Sequence, residues 1–302
     1  MTGAGSPGRV DRGLLEVEHG RSPTLMAFRR LLHSQTAVAG LGITVALVLV
    51  GLLAPWISPH EYWKISVDAV QRPPGTPGHF LGTDELGRDV LSRLVFGASL
   101  SLQLGIGATV VALVVGVVVG AVSGYVGGWI DAVLQRVTDT FMALPTLLVA
   151  ISLTAIVGGK PSLTMLFLVM GFLSWPTVAR VVRGQILSLR ENDYAVAARS
   201  LGAGGGRILF LHLLPNCIGP VVVLGTLLVA GMILFEAGLS FLGLGVQPPY
   251  PSWGRMLLDA RPYMAESPWL MVYPGAAIVL TVLGLNFFGD GLRDAFDPKM
   301  KV

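Results

Sequence analysis

From residue 190 the chain reads Arg190-Glu191-Asn192-Asp193-Tyr194-Ala195-Val196-Ala197-Ala198-Arg199-Ser200-Leu201-Gly202, and then Ala203-Gly204-Gly205-Gly206-Arg207. This polar, glycine-containing stretch continues to Pro215 and separates two long apolar segments. Alternation of long apolar segments with short charged ones is typical of a membrane protein. The stretch therefore predicts a short helix that is offered to the aqueous phase.

The composition of the whole chain supports an integral membrane protein. Of the 302 residues, 53% are hydrophobic and only 13% are charged, and the mean hydropathy is +0.69. A soluble domain carries about 25% charged residues. The net charge of +3 is too small to indicate a nucleic-acid partner. The single cysteine, Cys217, excludes a disulfide within the chain.

Six apolar segments are long enough to cross a bilayer as helices. The predicted spans are Ala37–Trp56, Leu100–Val122, Asp131–Val157, Leu163–Ala179, Leu213–Phe235 and Trp269–Phe288. Asp131, Arg136 and Asp139 crowd the start of the third span, where we expect them at the interface, with Arg136 paired to Asp139. Pro145 predicts a kink in the same span. The predicted fold class is an all-α integral membrane protein with six transmembrane helices.

The distribution of basic residues predicts the orientation. With the N-terminus inside, fourteen of the 21 arginines and lysines fall in cytoplasmic segments and seven in outer segments. This positive-inside bias predicts cytoplasmic N- and C-termini. The stretch from Arg190 to Pro215 then faces the cytoplasm.

The first 35 residues precede the apolar spans. Residues 1–22 are rich in glycine, serine and proline and predict a disordered cytoplasmic tail. Residues 23–35 are amphipathic and predict an interfacial elbow helix on the inner leaflet, although a simple positive flank to the first span is an alternative. Residues 36–302 form the predicted six-helix transmembrane domain.

The second predicted span carries one stripe of small residues, spaced four apart: Ala108, Ala112, Gly116, Gly120 and Gly124. Such stripes let helices pack backbone to backbone in lipid. We expect packing inside a helix bundle, with the lining of a pore as the alternative.

The spacing in the polar stretch predicts a helix of about two turns, Tyr194–Leu201. Asn192 or Asp193 can cap its start by accepting a bond from an early backbone N–H. Gly202 stands where helices commonly end in the left-handed conformation. Small side chains keep the helix thin enough to enter a groove on a partner, although an ordinary loop helix would show the same spacing.

This stretch resembles the signature loop of ABC importer permeases, in which a glutamate and two alanines are followed by a glycine and then by a Leu-Pro pair. The matching residues are Ala197, Ala198, Gly202, Leu214 and Pro215. Val196 replaces the family's glutamate, which removes one possible salt bridge to the partner. The resemblance implies that residues 190–212 are a coupling loop that docks into an ATPase through Asp193, Tyr194, Ala197, Ala198 and Gly202.

Two more segments resemble the C-type permease of dipeptide and oligopeptide ABC importers. They are His79–Leu94, and Leu239–Pro249 followed by Ser252-Trp253-Gly254. The resemblance covers Phe80 to Pro298. It implies a type I ABC importer permease fold in the bacterial inner membrane. It also implies a heterodimer with a homologous permease subunit, two cytoplasmic ATPases that bind ATP and Mg, and an extracytoplasmic peptide-binding protein.

The charges of the first segment have two interpretations. Thr83 can cap a helix that holds the i,i+4 pairs Asp84–Arg88 and Asp89–Arg93. As a solvated, salt-bridged helix it needs no function. As the outer rim of a translocation path it would touch the binding protein through Asp84, Arg88, Asp89 and Trp253. Glu236, at the end of the fifth span, is likewise either a residue of the path or the acceptor of an interfacial hydrogen bond.

The sequence predicts no catalytic, cofactor-binding or metal site. Gly159-Lys160 is followed by Pro161, so no phosphate-binding P-loop is present, and ATP hydrolysis is expected in partner subunits. The five histidines are scattered, without the spacing of a metal-binding set.

These observations predict a non-catalytic permease subunit of an ATP-driven importer for dipeptides or oligopeptides. Similar permeases carry nickel, glutathione and other small solutes, which are alternatives. A self-sufficient secondary transporter would show repeated halves and ionisable groups near the bilayer midplane. A membrane scaffold that transports nothing is the remaining rival.

Overall fold

The computed structural model describes residues 31–156 and 158–296. Its helices are α1 (Gln35–Leu52), α2 (Ala54–Ile57), α3 (Val90–Val126), α4 (Gly128–Ala143), α5 (Thr146–Ile156), α6 (Leu163–Leu189), α7 (Asp193–Ser200), α8 (Gly205–Ile208), α9 (Leu214–Phe241), α10 (Trp253–Ala260) and α11 (Trp269–Phe296). A π-helical turn, Leu209–Leu213, joins α8 to α9 without a break. Within the described ranges the structure has isolated β-bridges but no strand.

Most of the predicted spans correspond to long apolar helices. In the described part of the chain five helical segments are long and apolar enough to cross a membrane: α1, α3, α6, α8–α9 and α11. The pair α4–α5 is bent by 83° at its break, and it makes a sixth span if the two helices are counted as one. Pro145 lies in this break, so the predicted kink is confirmed.

Several helix boundaries differ from the predicted ones. The first span divides at Leu53, because Pro55 lacks the N–H that would continue α1 and instead starts the short α2. Helix α3 begins at Val90, well before the predicted Leu100, and is 37 residues or about 55 Å long. The two ends of the bundle are named after this helix: the Val90 end and the Val126 end.

Helices α3 and α6 run parallel and pack through the stripe of small residues. A Cβ at Gly116 would meet Val178, and one at Gly120 would meet Val182. The backbones approach this closely only because glycines stand at the contact. The predicted packing role of the stripe is confirmed, and the parallel direction requires the chain to return between Val126 and Leu163, which α4 and α5 do.

Helix α1 runs antiparallel to both α3 and α11. Gly51 lies against Ser99 near the start of α3, and Gly40 lies against Phe288 near the end of α11. The beginning of α1 and the end of α11 therefore lie together at the Val126 end.

The predicted helix capped by Thr83 is wrong. Gly82 and Gly87 have positive φ angles of 79° and 72°, and the segment before α3 is a loop. A Cβ at Gly87 would collide with the Ser66 carbonyl, so the loop packs back on the preceding segment. Asp89 caps α3 instead, because its side chain accepts from the Ser92 amide at 2.8 Å.

The predicted Arg136–Asp139 pair is also wrong. Asp139 accepts from Arg180 of α6 at 2.7 Å, because the neighbouring helix brings that guanidinium across. The predicted tail, residues 1–22, and most of the elbow helix, residues 23–35, lie outside the described ranges. Leu31 is described and buried, and it packs against Ala37 and Ala295.

Candidate functional site

Helix α7 at the Val126 end is the element that the polar stretch predicts. It spans Asp193–Ser200 with Asn192 as its N-cap residue, although the Asn192 side chain makes no capping hydrogen bond. Gly202 has a φ of +82°, as predicted for the left-handed end of the helix. The Gly202 amide donates to the Arg199 carbonyl and the Ala203 amide to the Ala198 carbonyl, both at 3.0 Å. These two bonds form the Schellman motif, which fixes the end of α7.

One face of α7 is anchored and the other is free. Ala195 is fully buried and packs in a cluster with Ile186 of α6 and Leu213 of the π turn. Tyr194, Val196, Ala197 and Leu201 are exposed, and Leu201 is 88% exposed. Asp193 is also exposed, and Ala198 is half-buried. The helix thus presents a small, partly apolar surface on an anchored base.

The segment after α7 forms another short helix, α8. Gly204 is the N-cap of α8, and Gly205 approaches the Tyr125 ring at the end of α3 so closely that a Cβ would lie 3.0 Å from its hydroxyl oxygen. Leu214 and Pro215 of the signature pattern begin α9. Sequence reasoning missed the π turn, a feature that is frequent at functional sites.

A polar network at the same end joins α4 to α6. Arg183 donates from Nε and Nη2 to the two Asp131 carboxylate oxygens, both at 2.7 Å, and Ser123 donates to Asp131 at 2.5 Å. Arg190 donates to the Gly124 carbonyl at 3.1 Å and so satisfies the end of α3. The sequence analysis used Arg183 and Arg190 only in the count of basic residues that predicts orientation. Their partners lie far away in the chain, so no local spacing predicts these contacts.

The Val90 end holds a buried ionic cluster. Asp84 accepts from the Arg88 Nε at 2.7 Å, which confirms the predicted i,i+4 pair. The predicted Asp89–Arg93 pair is wrong: Arg93 lies 3.0 Å from Asp84 and 3.1 Å from Asp259 of α10. Asp84, Arg88 and Arg93 are all buried. The expectation of a solvated helix is therefore wrong, and the cluster instead ties α3 to α10.

Glu85 is attached to the edge of this cluster. Its carboxylate accepts from the Arg88 Nη2 at 2.5 Å. Burial raises the pKa of Glu85 above its ordinary value of 4.5, and the neighbouring Asp84 raises it further, while Arg88 opposes the shift.

Trp253 fixes α10 to α3. The ring is 1% exposed and its Nε1 donates to the Leu94 carbonyl at 3.0 Å. Asp84, Arg88, Asp89 and Trp253 are therefore brought together at one end, but their side chains face the interior. Contact of this region with a binding protein stays a prediction, and it would have to use neighbouring exposed residues.

The sequence analysis did not predict that two histidines meet at the Val90 end. His60 and His79 stack with ring centroids 4.8 Å apart, and both face Asp89. The statement that the histidines are scattered is therefore wrong for these two, because the loop before α3 folds back. Glu236 is buried and accepts from Ser240 at 2.5 Å, which favours an internal hydrogen bond.

Comparison with known proteins identifies the family. Residues 116–302 match the family described as binding-protein-dependent transport system inner membrane component. Residues 22–74 match the N-terminal TM domain of oligopeptide transport permease C.

Three relatives illustrate the similarity. The chain is 42% identical over 280 residues to the dipeptide transport system permease protein DppC of Alkalihalophilus pseudofirmus, covering 93% of this chain and 91% of that protein. It is 40% identical over 285 residues to the di/tripeptide transport system permease protein DppC of Pseudomonas aeruginosa, with 93% of each covered. It is 44% identical over 289 residues to the oligopeptide transport system permease protein OppC of Escherichia coli K12, with 94% of each covered. The chain therefore belongs to the binding-protein-dependent transport system inner membrane component family, as a multi-pass bacterial inner-membrane permease of the dipeptide and oligopeptide ABC transporter type.

Proposed function

We propose that this chain forms half of the translocation path of an ATP-driven importer for short peptides. A homologous permease subunit supplies the other half. Two cytoplasmic ATPases bind ATP and Mg and drive the path, and an extracytoplasmic binding protein delivers the peptide. The chain itself hydrolyses nothing.

The observation that carries this proposal is the combination of exposure and anchoring in α7. A surface formed by Tyr194, Val196 and Leu201 is left open, while Ala195 is buried against α6 and the π turn. A partner that binds the open surface and moves α7 therefore also moves α6 and the π turn, which contact Ala195. An ATPase that closes on ATP would therefore move α7 as a lever and tilt the spans, which alternates access to the path.

The direction of the helices supports six crossings. Because α3 and α6 run parallel, the bent pair α4–α5 has to lead the chain back from the Val126 end to the Val90 end. The start of α1, the end of α11 and helix α7 then share the Val126 end. The excess of basic residues predicts that this end lies in the cytoplasm, where an ATPase can reach α7.

The apolar outer surface supports a position among lipid and a partner permease. Along α3 four exposed residues are spaced four apart on the face away from the glycine stripe: Ile106, Val110, Val114 and Val118. An apolar stripe of this length on a helix needs a bilayer or another apolar helix beside it.

The solute class rests on the relatives, whose names refer to dipeptides, tripeptides and oligopeptides. Nickel and glutathione are the alternatives. Uptake of a labelled dipeptide, with unlabelled tripeptide, glutathione and Ni²⁺ as competitors, distinguishes them. Competition by Ni²⁺ or glutathione but not by tripeptide would contradict the peptide assignment.

Substitution of Leu201 tests the docking role of α7. Leu201→Glu puts a charge on a side chain that contacts little within this chain, so the permease should fold while the ATPase no longer co-purifies and peptide-stimulated ATP hydrolysis is lost. Leu86→Glu, a matched change at the exposed Leu86 of the Val90 end, should leave the ATPase bound. Full peptide uptake by Leu201→Glu, or uptake without any ATPase, contradicts the proposal and favours a secondary transporter.

Substitution of Gly202 tests the end of the same helix. Gly202→Asp places a side chain at a φ of +82° and a charge on the docking surface, so coupling should fail. Gly206→Asp adds the same charge nearby, at a glycine with open space and an ordinary φ, and should have a smaller effect. Equal effects of the two changes would show that the left-handed end of α7 is not needed.

A further inference from the structure

Three side chains with metal-binding atoms converge at the Val90 end. His60 follows α2, His79 lies in the loop before α3, and Asp89 caps α3. The Asp89 Oδ1 atom lies 2.9 Å from the Nδ1 atom of His79 and 3.8 Å from the Nδ1 atom of His60. The ligand atoms of all three residues lie within 4.8 Å of one another. Donor atoms about 2.0–2.2 Å from one tetrahedral ion lie roughly 3.3–3.6 Å apart. The two Asp89 distances, 2.9 and 3.8 Å, fall on either side of that range.

In the described ranges the Asp89 carboxylate is faced by two imidazoles rather than by a permanently charged group. The residue is 2% exposed, yet in the described ranges neither an arginine nor a lysine forms an ion pair with it. Asp84, in the same loop, has both Arg88 and Arg93. A buried carboxylate without a cation is costly. The His60 Nδ1 atom is also buried and has no hydrogen-bond partner among the described residues.

We propose that His60, His79 and Asp89 bind one divalent transition-metal ion, with Zn²⁺ as the best match. One cation among these three groups compensates the carboxylate and occupies the lone pair of His60. Two imidazoles and one carboxylate favour Zn²⁺ and related ions over Mg²⁺ or Ca²⁺, which prefer oxygen ligands alone. The side chain of His60 is 35% exposed, so a water molecule can take the fourth position.

The surrounding hydrogen bonds orient two of the three ligands. The Asp89 Oδ2 atom accepts from the Ser92 amide at 2.8 Å and from the Ser92 hydroxyl at 2.7 Å. The Oδ1 atom is hydrogen-bonded to the His79 Nδ1 atom at 2.9 Å, a bond that a bound ion would replace. The Ser92 hydroxyl also accepts from the His60 amide at 3.1 Å. Such outer partners fix the direction of metal ligands. The ion would clamp the segment after α2 to the start of α3.

Metal titration of the intact transporter tests this site. The assembly is purified from the membrane without a histidine tag, stripped with a chelator and titrated with Zn²⁺, and with Co²⁺ as a spectroscopic probe. The wild type should bind one more equivalent than His60→Ala, and the extra Co²⁺ should give the intense visible absorption of a tetrahedral site. Loss of His60 or His79 should weaken Zn²⁺ binding by at least the roughly 10–100-fold that loss of an outer partner costs.

His60→Ala is the decisive variant, because its Nδ1 atom has no hydrogen bond to lose in the described structure. His212→Ala, at the Val126 end, is the matched control and should bind Zn²⁺ like the wild type. Added Zn²⁺ should raise the melting temperature of the wild type but not that of His60→Ala. Equal Zn²⁺ stoichiometry and affinity in the wild type and His60→Ala, or Zn²⁺ displaced by millimolar Mg²⁺, overturns the proposal.

Discussion

Arg93 of α3 and Asp259 of α10 form an ion pair, with Nη2 3.1 Å from Oδ2, across 166 residues of sequence. Arg93 also lies 3.0 Å from Asp84 of the preceding loop. One guanidinium, 2% exposed, thereby joins three segments of the Val90 end. The region is therefore a buried, cross-linked cluster rather than a set of solvated charges.

Loss of this guanidinium should destabilise the permease strongly. Arg255 of α10 also pairs with Asp259, at 2.8 Å, so Arg93→Met leaves Asp84, Glu85 and Asp259 with two arginines, Arg88 and Arg255. Removal of one partner from a buried ion pair costs about 3–5 kcal/mol. Thermal unfolding of the purified transporter measures the change. Arg180→Met is the control: it removes an arginine whose pair with Asp139 is half exposed, and such pairs contribute about 0–1 kcal/mol. Equal melting temperatures for the two variants would contradict the structural role of Arg93.

Glu85 should make the stability of the Val90 end depend on pH. Because burial raises its pKa in the folded state, the folded protein holds the proton at pH values where the unfolded chain has released it. Stability should therefore fall as the pH rises from about 4.5 through the folded pKa. Glu85→Gln removes this titration and can still accept from Arg88, so the variant should gain stability relative to the wild type as the pH rises.

Melting curves between pH 4.5 and 7.5 test this prediction. The difference between Glu85→Gln and the wild type isolates Glu85, and Glu266→Gln, at an exposed position, controls for the loss of one charge. A difference curve that is flat, or that falls with pH, would contradict the raised pKa.

The sequence predicted what depends on local spacing. The lengths of the apolar segments predicted the positions of the spans. Pro145 predicted the break between α4 and α5, and Gly202 predicted the left-handed end of α7. Each of these follows from one residue and its neighbours in the chain.

The rest depends on contacts between distant segments. His60 and His79 meet only because the glycine-rich loop before α3 folds back. Asp139 pairs with Arg180 because α6 lies beside α4. In the loop, Asp84 and Arg88 are paired as the spacing suggested, but Gly82 and Gly87 prevent the helix that the same spacing predicts. Charge spacing therefore predicted one pair correctly while misjudging the backbone and the burial around it.

The glycine contact between α3 and α6 should be intolerant of a single methyl group. Gly120→Ala places a Cβ against the Ala179 carbonyl, which belongs to the backbone and cannot rotate away. We expect destabilisation of about 1–3 kcal/mol, the usual range for overpacking. Gly107→Ala on the same helix meets Phe167 only at ordinary contact distance, and gains up to about 1 kcal/mol of helix propensity. Melting temperatures of the two variants should move in opposite directions, and a stable Gly120→Ala would contradict the close packing.

Replacement of Arg183 by lysine should separate ATP hydrolysis from uptake. Arg183 holds Asp131 with two parallel bonds, and lysine keeps the charge but cannot reproduce that fork. The loss of folding stability should be about 1.5 kcal/mol, the lower end for hydrogen bonds to charged groups, because Arg183 is 29% exposed.

Since α6 leads directly into α7, a looser α4–α6 contact should transmit less of the movement of α7 to the spans. We expect the ATPase to remain bound and active in Arg183→Lys while peptide imported per ATP falls. Arg180→Lys, at the exposed single-bonded pair beside it, should keep the wild-type ratio. If both variants lose the same fraction of uptake, general weakening of the helix ends explains the effect, and the Asp131–Arg183 fork has no special part in coupling.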